Sequence, residues 1–97
     1  MLIRIVRMTF QTEKVQDFLE IFENSKEKIR AFEGCQHLEL LQDKNAPNVF
    51  MTYSYWNDEN ALEKYRQSEL FQTTWNRTKA LFSDKPMAFS AHSLIKL

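Results

Sequence analysis

The sequence predicts an α+β domain in which helices cover one face of a four-stranded antiparallel sheet. Four segments rich in β-forming residues alternate with segments whose apolar residues recur at helical spacing. Turn-forming and capping residues mark the boundaries between these segments. The chain has 97 residues, a single glycine and two prolines, so we expect one domain over residues 1–97 and no linker.

The first third of the chain predicts a strand followed by a helix. Residues 2–10 carry apolar side chains on both alternating faces, which is typical of a central strand covered on both sides. Thr12 is the expected N-cap of the helix. Gly34 is expected to end the helix in the left-handed conformation that glycine adopts most easily. The apolar stripe of this helix is predicted to contain Val15, Phe18, Leu19, Phe22 and Ile29.

The rest of the chain predicts a hairpin, two helices and a last strand. Residues 35–42 and 48–56 are two strands joined by a turn-rich segment. Residues 58–67 form a short helix whose start is capped by the Asn-Asp-Glu segment at 57–59, and Ser68 caps the next helix. Residues 87–97 alternate between apolar and small or polar side chains, as a strand does. The buried stripe of the third helix is predicted to contain Phe71, Trp75, Thr78 and Phe82.

The resulting order, β-α-β-β-α-α-β, is the split βαβ arrangement of ferredoxin-like folds. A chain this short has little margin for a deep core of its own, and its single cysteine excludes an internal disulfide. The sheet face that the helices leave open also carries apolar residues, which must be covered. Two such sheets packed face to face would close a dimeric α+β barrel, so the sequence predicts an obligate homodimer.

The composition disfavours several classes of function. Thirteen basic and 13 acidic residues cancel and are interspersed, so no footprint for nucleic acid or an anionic membrane is present. Two histidines and one cysteine form no ligand cluster, and a single glycine cannot build a phosphate-binding loop, so we expect neither a metal nor another cofactor. No apolar run could cross a membrane and no signal peptide begins the chain, which predicts a cytoplasmic protein.

Four short features together carry a family resemblance. They are Arg7 in the first strand, Phe32-Glu33-Gly34-Cys35 at the end of the first helix, the Tyr55-Trp56-Asn57 junction, and the Ser68-Glu69-Leu70-Phe71 step between the later helices. With these features the chain resembles, over essentially its whole length, the antibiotic biosynthesis monooxygenase family of dimeric α+β barrels. That family includes cofactor-independent oxygenases of polyphenols and quinol-like substrates, and a haem-degrading branch.

The resemblance implies three possible functions. The first is a cofactor-independent monooxygenase of a small aromatic ligand such as a hydroquinone or polyphenol. The second is a dimer of the same fold that binds or senses a small molecule without chemistry. The third, haem degradation, is disfavoured, because the asparagine, tryptophan and haem-ligating histidine of that branch fall on or near Val6, Tyr65 and Trp75. The indole nitrogen only donates hydrogen bonds, so Trp75 cannot ligate iron.

Two groups of residues are candidates for chemistry. His37 and Glu39 lie two residues apart on one strand and share a face, so Glu39 could orient His37 as a general base. The competing interpretation is an exposed polar pair on an edge strand. An aromatic zone around the third strand and the last helices could bind a flat ligand or could simply be core. An arginine of the first strand, Arg4 or Arg7, could hold a phenolate or carboxylate, or form an interface salt bridge.

These considerations define two sets of predicted site residues. The candidate catalytic residues are His37, Tyr65 and Trp75. The candidate substrate-binding residues are Arg7, Tyr53 and Phe71. Cys35 is not among them, because no neighbouring cation or helix N-terminus is evident to lower the pKa of its thiol.

Overall fold

The computed structural model describes residues Met1–Leu97 and contains four strands and three α-helices in the predicted order. A short 3₁₀ turn, Thr12–Lys14, precedes the first α-helix. The predicted α+β ferredoxin-like class is therefore confirmed. No helix combines the length and the apolar character that crossing a membrane requires. The elements are β1 (Leu2–Thr9), α1 (Val15–Arg30), β2 (Cys35–Gln42), β3 (Val49–Trp56), α2 (Glu59–Arg66), α3 (Glu69–Lys79) and β4 (Met87–His92).

The four strands form one antiparallel sheet in the order β2-β3-β1-β4. β1 is central, as its apolar residues on both faces predicted, and the β2–β3 hairpin is also confirmed. Ile5 of β1 lies opposite Tyr53 of β3 on one side and Phe89 of β4 on the other. Residues paired in this way point to the same face, so the register assigns every strand residue to a face.

Short-range capping signals predicted the helix boundaries well in the second half of the chain. The Asp58 side chain accepts a hydrogen bond from the Ala61 N–H at 2.8 Å and begins α2. The Ser68 hydroxyl accepts one from the Phe71 N–H at 3.1 Å and begins α3. The prediction of Thr12 as an N-cap was wrong, because Thr12 lies inside the 3₁₀ turn that leads into α1.

Two predicted ends were also wrong, and both depend on distant partners. β4 stops at His92 rather than at residue 97, because His92 already pairs with Leu2, the first residue of β1, and no partner backbone remains. α3 ends at Lys79, so Phe82 lies beyond the helix and forms an isolated bridge with Phe10 instead.

The helices cover one face of the sheet, and the core lies between them in two clusters at opposite ends of β1. One cluster surrounds Trp56 and contains Leu2, Cys35 and Leu62. The other is built on phenylalanines, with the rings of Phe10 and Phe18 stacked 4.2 Å apart. The other two buried members of this second cluster are Met8 and Phe50. Because the clusters occupy the two ends, the middle of the helix–sheet space is left for a cavity.

Gly34 joins α1 to β2 in a conformation that another residue would not adopt easily. Its φ is +88°, so the predicted left-handed conformation is confirmed. The prediction that Gly34 ends the helix was wrong, because α1 ends at Arg30 with Ala31 as its C-cap, and Gly34 lies in the turn that follows. A Cβ at this position would lie 2.5 Å from the Cβ of Ala61 in α2. The glycine therefore allows both the turn and the close approach of α2.

We expect Gly34→Ala to lower the free energy of unfolding by about 2–4 kcal/mol, because it adds both left-handed strain and a steric conflict with Ala61. Urea unfolding of Gly34→Ala, Ala61→Gly and the double variant separates the two causes. Ala61→Gly alone should cost about 1 kcal/mol of helix propensity. The double variant should be more stable than the sum of the single losses predicts, and strict additivity would contradict the close approach.

Candidate functional site

A cavity of about 260 Å³ lies between the helices and the middle of the sheet. Its walls are mostly apolar, and no Asp, Glu, His or Lys side chain lines it. The even-numbered residues of β1, Arg4, Val6 and Met8, form part of the floor because alternate side chains of a strand share a face. A pocket of this kind, apolar with a few polar groups, is the usual form of a small-molecule site.

α3 supplies one wall through a regular helical stripe. Phe71, Thr74, Trp75 and Thr78 line the cavity, and their spacing of three, four and seven residues places them on one face of the helix. This spacing predicted Phe71, Trp75 and Thr78 as part of a buried stripe, and Phe71 and Trp75 were separately predicted as site residues. Thr78 is buried, and its hydroxyl donates to the Thr74 carbonyl at 2.8 Å, so it needs no partner in the cavity.

Aromatic rings form a continuous surface along this wall. Tyr65 stacks on Trp56 with ring centroids 4.9 Å apart and meets Phe71 edge-on at 5.2 Å. Phe71 in turn stacks on Trp75 at 5.9 Å with an interplanar angle of 11°. The indole N–H of Trp56 donates to the Ser54 hydroxyl at 3.0 Å, which fixes the ring orientation. This aromatic wall, Trp56-Tyr65-Phe71-Trp75, presents flat apolar surface to a ligand.

Tyr65 and Cys35 are both kept in their neutral forms by their surroundings. Burial raises the pKa of the Tyr65 phenol well above its ordinary value, and proximity to Cys35 adds to the effect. Burial likewise raises the pKa of the Cys35 thiol, which donates to the His37 carbonyl at 3.6 Å. Tyr65 can therefore serve as a hydrogen-bonding group in the cavity, but not as a base at neutral pH.

Two arginines line the same cavity. Arg4, half-buried on β1, donates to the Ser90 hydroxyl at 3.1 Å. Arg66, in the last turn of α2, is more exposed and lies 3.3 Å from a carboxylate oxygen of Glu63. Burial, together with the charge of Arg66, lowers the pKa of Arg4. Sequence reasoning missed Arg66, although its spacing from Leu62, which also lines the cavity, places both on one face of α2.

The other three predicted site residues lie elsewhere. His37, Tyr53 and Arg7 belong to the sheet face opposite the helices, which we call the open face and which contains Ile5 and Phe89. The six predicted residues therefore form two separate groups. Tyr65, Phe71 and Trp75 line the cavity, and the other three do not.

The open face carries its own polar and aromatic cluster. A ring nitrogen of His37 lies 3.0 Å from a carboxylate oxygen of Glu39, so the predicted pair is present on the edge strand β2. The hydroxyls of Tyr53 and Tyr55 are 2.9 Å apart, and the His37 ring lies 4.9 Å from that of Tyr55. His92 is paired with the buried Leu2, so the two histidines do not share a face. The catalytic role of His37 stays a prediction.

A family model described as antibiotic biosynthesis monooxygenase matches residues 1–77. The chain belongs to this family. Its matched part extends from β1 to Arg77 of α3, and so contains the aromatic wall and both arginines. No curated protein sequence matches the chain.

Solved structures share the fold of this family member at low sequence identity. A crystal structure of an antibiotic biosynthesis monooxygenase superposes with a TM-score of 0.92 at 21% identity and covers 98% of this chain and 100% of its own. A conserved protein from Methanosarcina mazei Go1 gives 0.87 at 22% identity, covering 93% and 90%. Rv0793 from Mycobacterium tuberculosis gives 0.90 at 14% identity, covering 98% and 96%. These similarities establish the fold alone.

The raised pKa of Tyr65 predicts a loss of stability in alkali. The unfolded chain releases the Tyr65 proton near the ordinary tyrosine pKa of about 10, whereas the folded chain holds it to higher pH. Its contribution to stability is thus complete below about pH 10 and is lost as the pH rises above that value. We expect urea midpoints of the wild type to fall more steeply there than those of Tyr65→Phe.

Tyr53→Phe is the control for this experiment. The pKa of Tyr53 is raised as well, but chiefly by a hydrogen bond with Tyr55 rather than by burial. Its removal should therefore leave the alkaline slope closer to that of the wild type. Equal slopes for the wild type and Tyr65→Phe would contradict the buried, neutral phenol.

Proposed function

We propose that this family member is a monooxygenase that oxidises a small planar aromatic substrate, such as a hydroquinone or polyphenol, in the cavity without a bound cofactor. The observation that carries this proposal is the aromatic wall, because all four of its residues line the cavity. Aromatic ligands stack favourably on such surfaces, and the apolar walls exclude water from the reacting ring.

The proposed reaction needs no external reductant. A phenol ring carbon that carries hydrogen becomes a quinone carbonyl carbon, with one atom of O₂ entering the ring and the other leaving as water. The substrate itself supplies the electrons that reduce O₂, and its ionised form is the electron-rich species that reacts. The protein holds the ring on the aromatic wall and keeps the site dry.

A ligand-binding protein without turnover is the second candidate. The observation in its favour is that no Asp, Glu, His or Lys lines the cavity, while burial keeps Tyr65 neutral. Side chains that ordinarily act as general bases are thus absent from its walls. Both candidates place a small aromatic ligand in the same cavity and differ only in whether it is oxidised.

We also propose that the protein is a homodimer formed through the open face. Met87 and Phe89 on β4 are 56% and 49% exposed, and Ile5 and Tyr53 continue the same surface across the sheet. Large exposed apolar side chains concentrated on one sheet face are typical of an interface. A second copy of the chain would cover this surface and so bury additional apolar area, of which so short a chain buries little by itself.

We expect the metal-free protein to consume O₂ in the presence of hydroquinones or polyphenols, with a rate that saturates with substrate and exceeds autoxidation. Thr74→Trp, which fills the cavity, should lower this rate at least about tenfold because the substrate loses its site. The matched variant Thr73→Trp changes an exposed neighbour on α3 and should retain the wild-type rate. Equal rates for the two variants would contradict the cavity as the site.

Two further results test the role of His37 and separate the candidates. The His37→Ala variant should retain O₂ uptake, because His37 lies on the open face and outside the cavity. A loss of uptake would instead support His37 as the general base. Binding of the same phenols by a folded dimer, with uptake no faster than the buffer blank, would identify a binding protein. Absence of binding would contradict both candidates.

Sedimentation should show the wild type at twice the mass of one chain at low micromolar concentration. Phe89→Asp should shift the protein towards monomer, because it places a charge in the apolar surface of the open face. Gln16→Asp adds the same charge on an exposed position of α1 and should leave the dimer intact. A monodisperse wild-type monomer would refute the proposed interface.

A further inference from the structure

Arg4 and Arg66 give the cavity positive charge with little local compensation. Arg4 takes part in none of the chain's four ion pairs, and its guanidinium donates to the neutral Ser90 hydroxyl. Arg66 has one carboxylate neighbour, Glu63, and that pair is about half exposed. Surface ion pairs of this kind contribute little stabilisation, so Arg66 can exchange Glu63 for another anion at small cost.

The surroundings of the two arginines offer nothing else of opposite charge. No carboxylate lines the cavity, and the residues nearest to Arg4 on the sheet are the hydroxyl-bearing Ser54 and Ser90. The charge of Arg66 acts unfavourably on Arg4, in accord with two cations that face one space. An anion bound between them would remove this repulsion and accept charge-assisted hydrogen bonds from both guanidinium groups.

The same walls contain no group that could take a proton from a neutral ligand. Tyr65 is a neutral phenol and the arginines are already protonated. The threonine and serine hydroxyls are weaker acids than a phenol, so they too are neutral and offer no basic alkoxide. A phenol that enters the cavity must therefore ionise by giving its proton to solvent. Positive charge beside the ligand oxygen favours that ionisation, so the arginines can take the place of a base.

Resting on the function proposed for this cavity, we infer that it selects its ligand as an aromatic oxyanion, with the charged oxygen held between Arg4 and Arg66 and the ring on the aromatic wall. The oxygen can be that of an ionised phenol, an enol or a carboxyl group, since all three present the same chemistry to a guanidinium. When the ligand is a phenol, its O–H bond breaks, the proton passes to water and the electron pair stays on the oxygen.

The test uses 4-nitrophenol, whose neutral and ionised forms absorb at different wavelengths. Its absorbance is titrated against pH with the protein in saturating excess. The ionised form should predominate on the wild-type protein at least about one pH unit lower than in free solution, which corresponds to about tenfold preference for the anion. Arg4→Gln and Arg66→Gln should each remove most of this shift. Arg77→Gln, an exposed arginine on α3 outside the cavity, should retain it.

Arg4→Lys separates recognition of charge from support of the fold. It retains a cation on β1 and should keep part of the shift that Arg4→Gln loses, whereas a structural role would make both variants alike. Urea midpoints of all variants show whether the sheet is intact. If 4-nitrophenol binds the wild-type protein and its ionisation pH is unchanged or raised, the inference is overturned.

A neutral isostere distinguishes failure of this inference from failure of the proposed function. If 4-nitroanisole binds as tightly as 4-nitrophenolate, the aromatic cavity stands and anion selection is refuted. If benzoate binds through Arg4 and Arg66 but 4-nitrophenolate does not, the charged oxygen is that of a carboxylate and the inference holds for that source. If none of the three probes binds, or if Thr74→Trp leaves binding unchanged, the site proposed for the substrate is wrong as well.

Discussion

The antiparallel pairing of β1 with β3 on one side and β4 on the other is the interaction on which the rest of the structure depends. Because alternate residues of a strand face opposite ways, β1 builds two surfaces at once. Arg4 and Val6 enter the cavity, while Ile5 and Arg7 lie on the open face. A slip of one residue would exchange the two sets, so register, cavity and proposed interface are specified together.

The parts of the fold that could be predicted from sequence are those set by short-range chemistry. A side-chain oxygen at Asp58 or Ser68 accepts a hydrogen bond from an N–H three residues away, and Gly34 supplies a left-handed backbone conformation. Each effect depends only on residues that are close in the sequence. The end of β4 is different, because it depends on where β1 runs out of backbone to pair with. The alternation of apolar and polar residues continues beyond His92, and this pattern does not show that β1 has no further residue to pair with.

The candidate site was only half predictable for the same reason. Helical spacing correctly grouped Phe71 with Trp75, since one helix fixes their common face. Alternation likewise groups His37 with Glu39 on one strand, but it cannot say which sheet face the helices cover. Apolar side chains on both faces of β1 remove the usual contrast between a buried and a solvated side. The separation of His37 from Tyr65 follows from this tertiary choice, which no local pattern contains.

The cavity walls carry two arginines and no acidic residue, and this leaves a repulsion between the two positive charges. Lysines in these places could relieve it by losing a proton, because the lysine pKa falls readily on burial. Arginine has no such escape, since a guanidinium whose pKa is lowered still keeps its proton at neutral pH. The repulsion between Arg4 and Arg66 therefore persists at neutral pH, and an anion bound between them would relieve it. The charges that repel each other in the cavity are the same charges that would give affinity for an aromatic oxyanion.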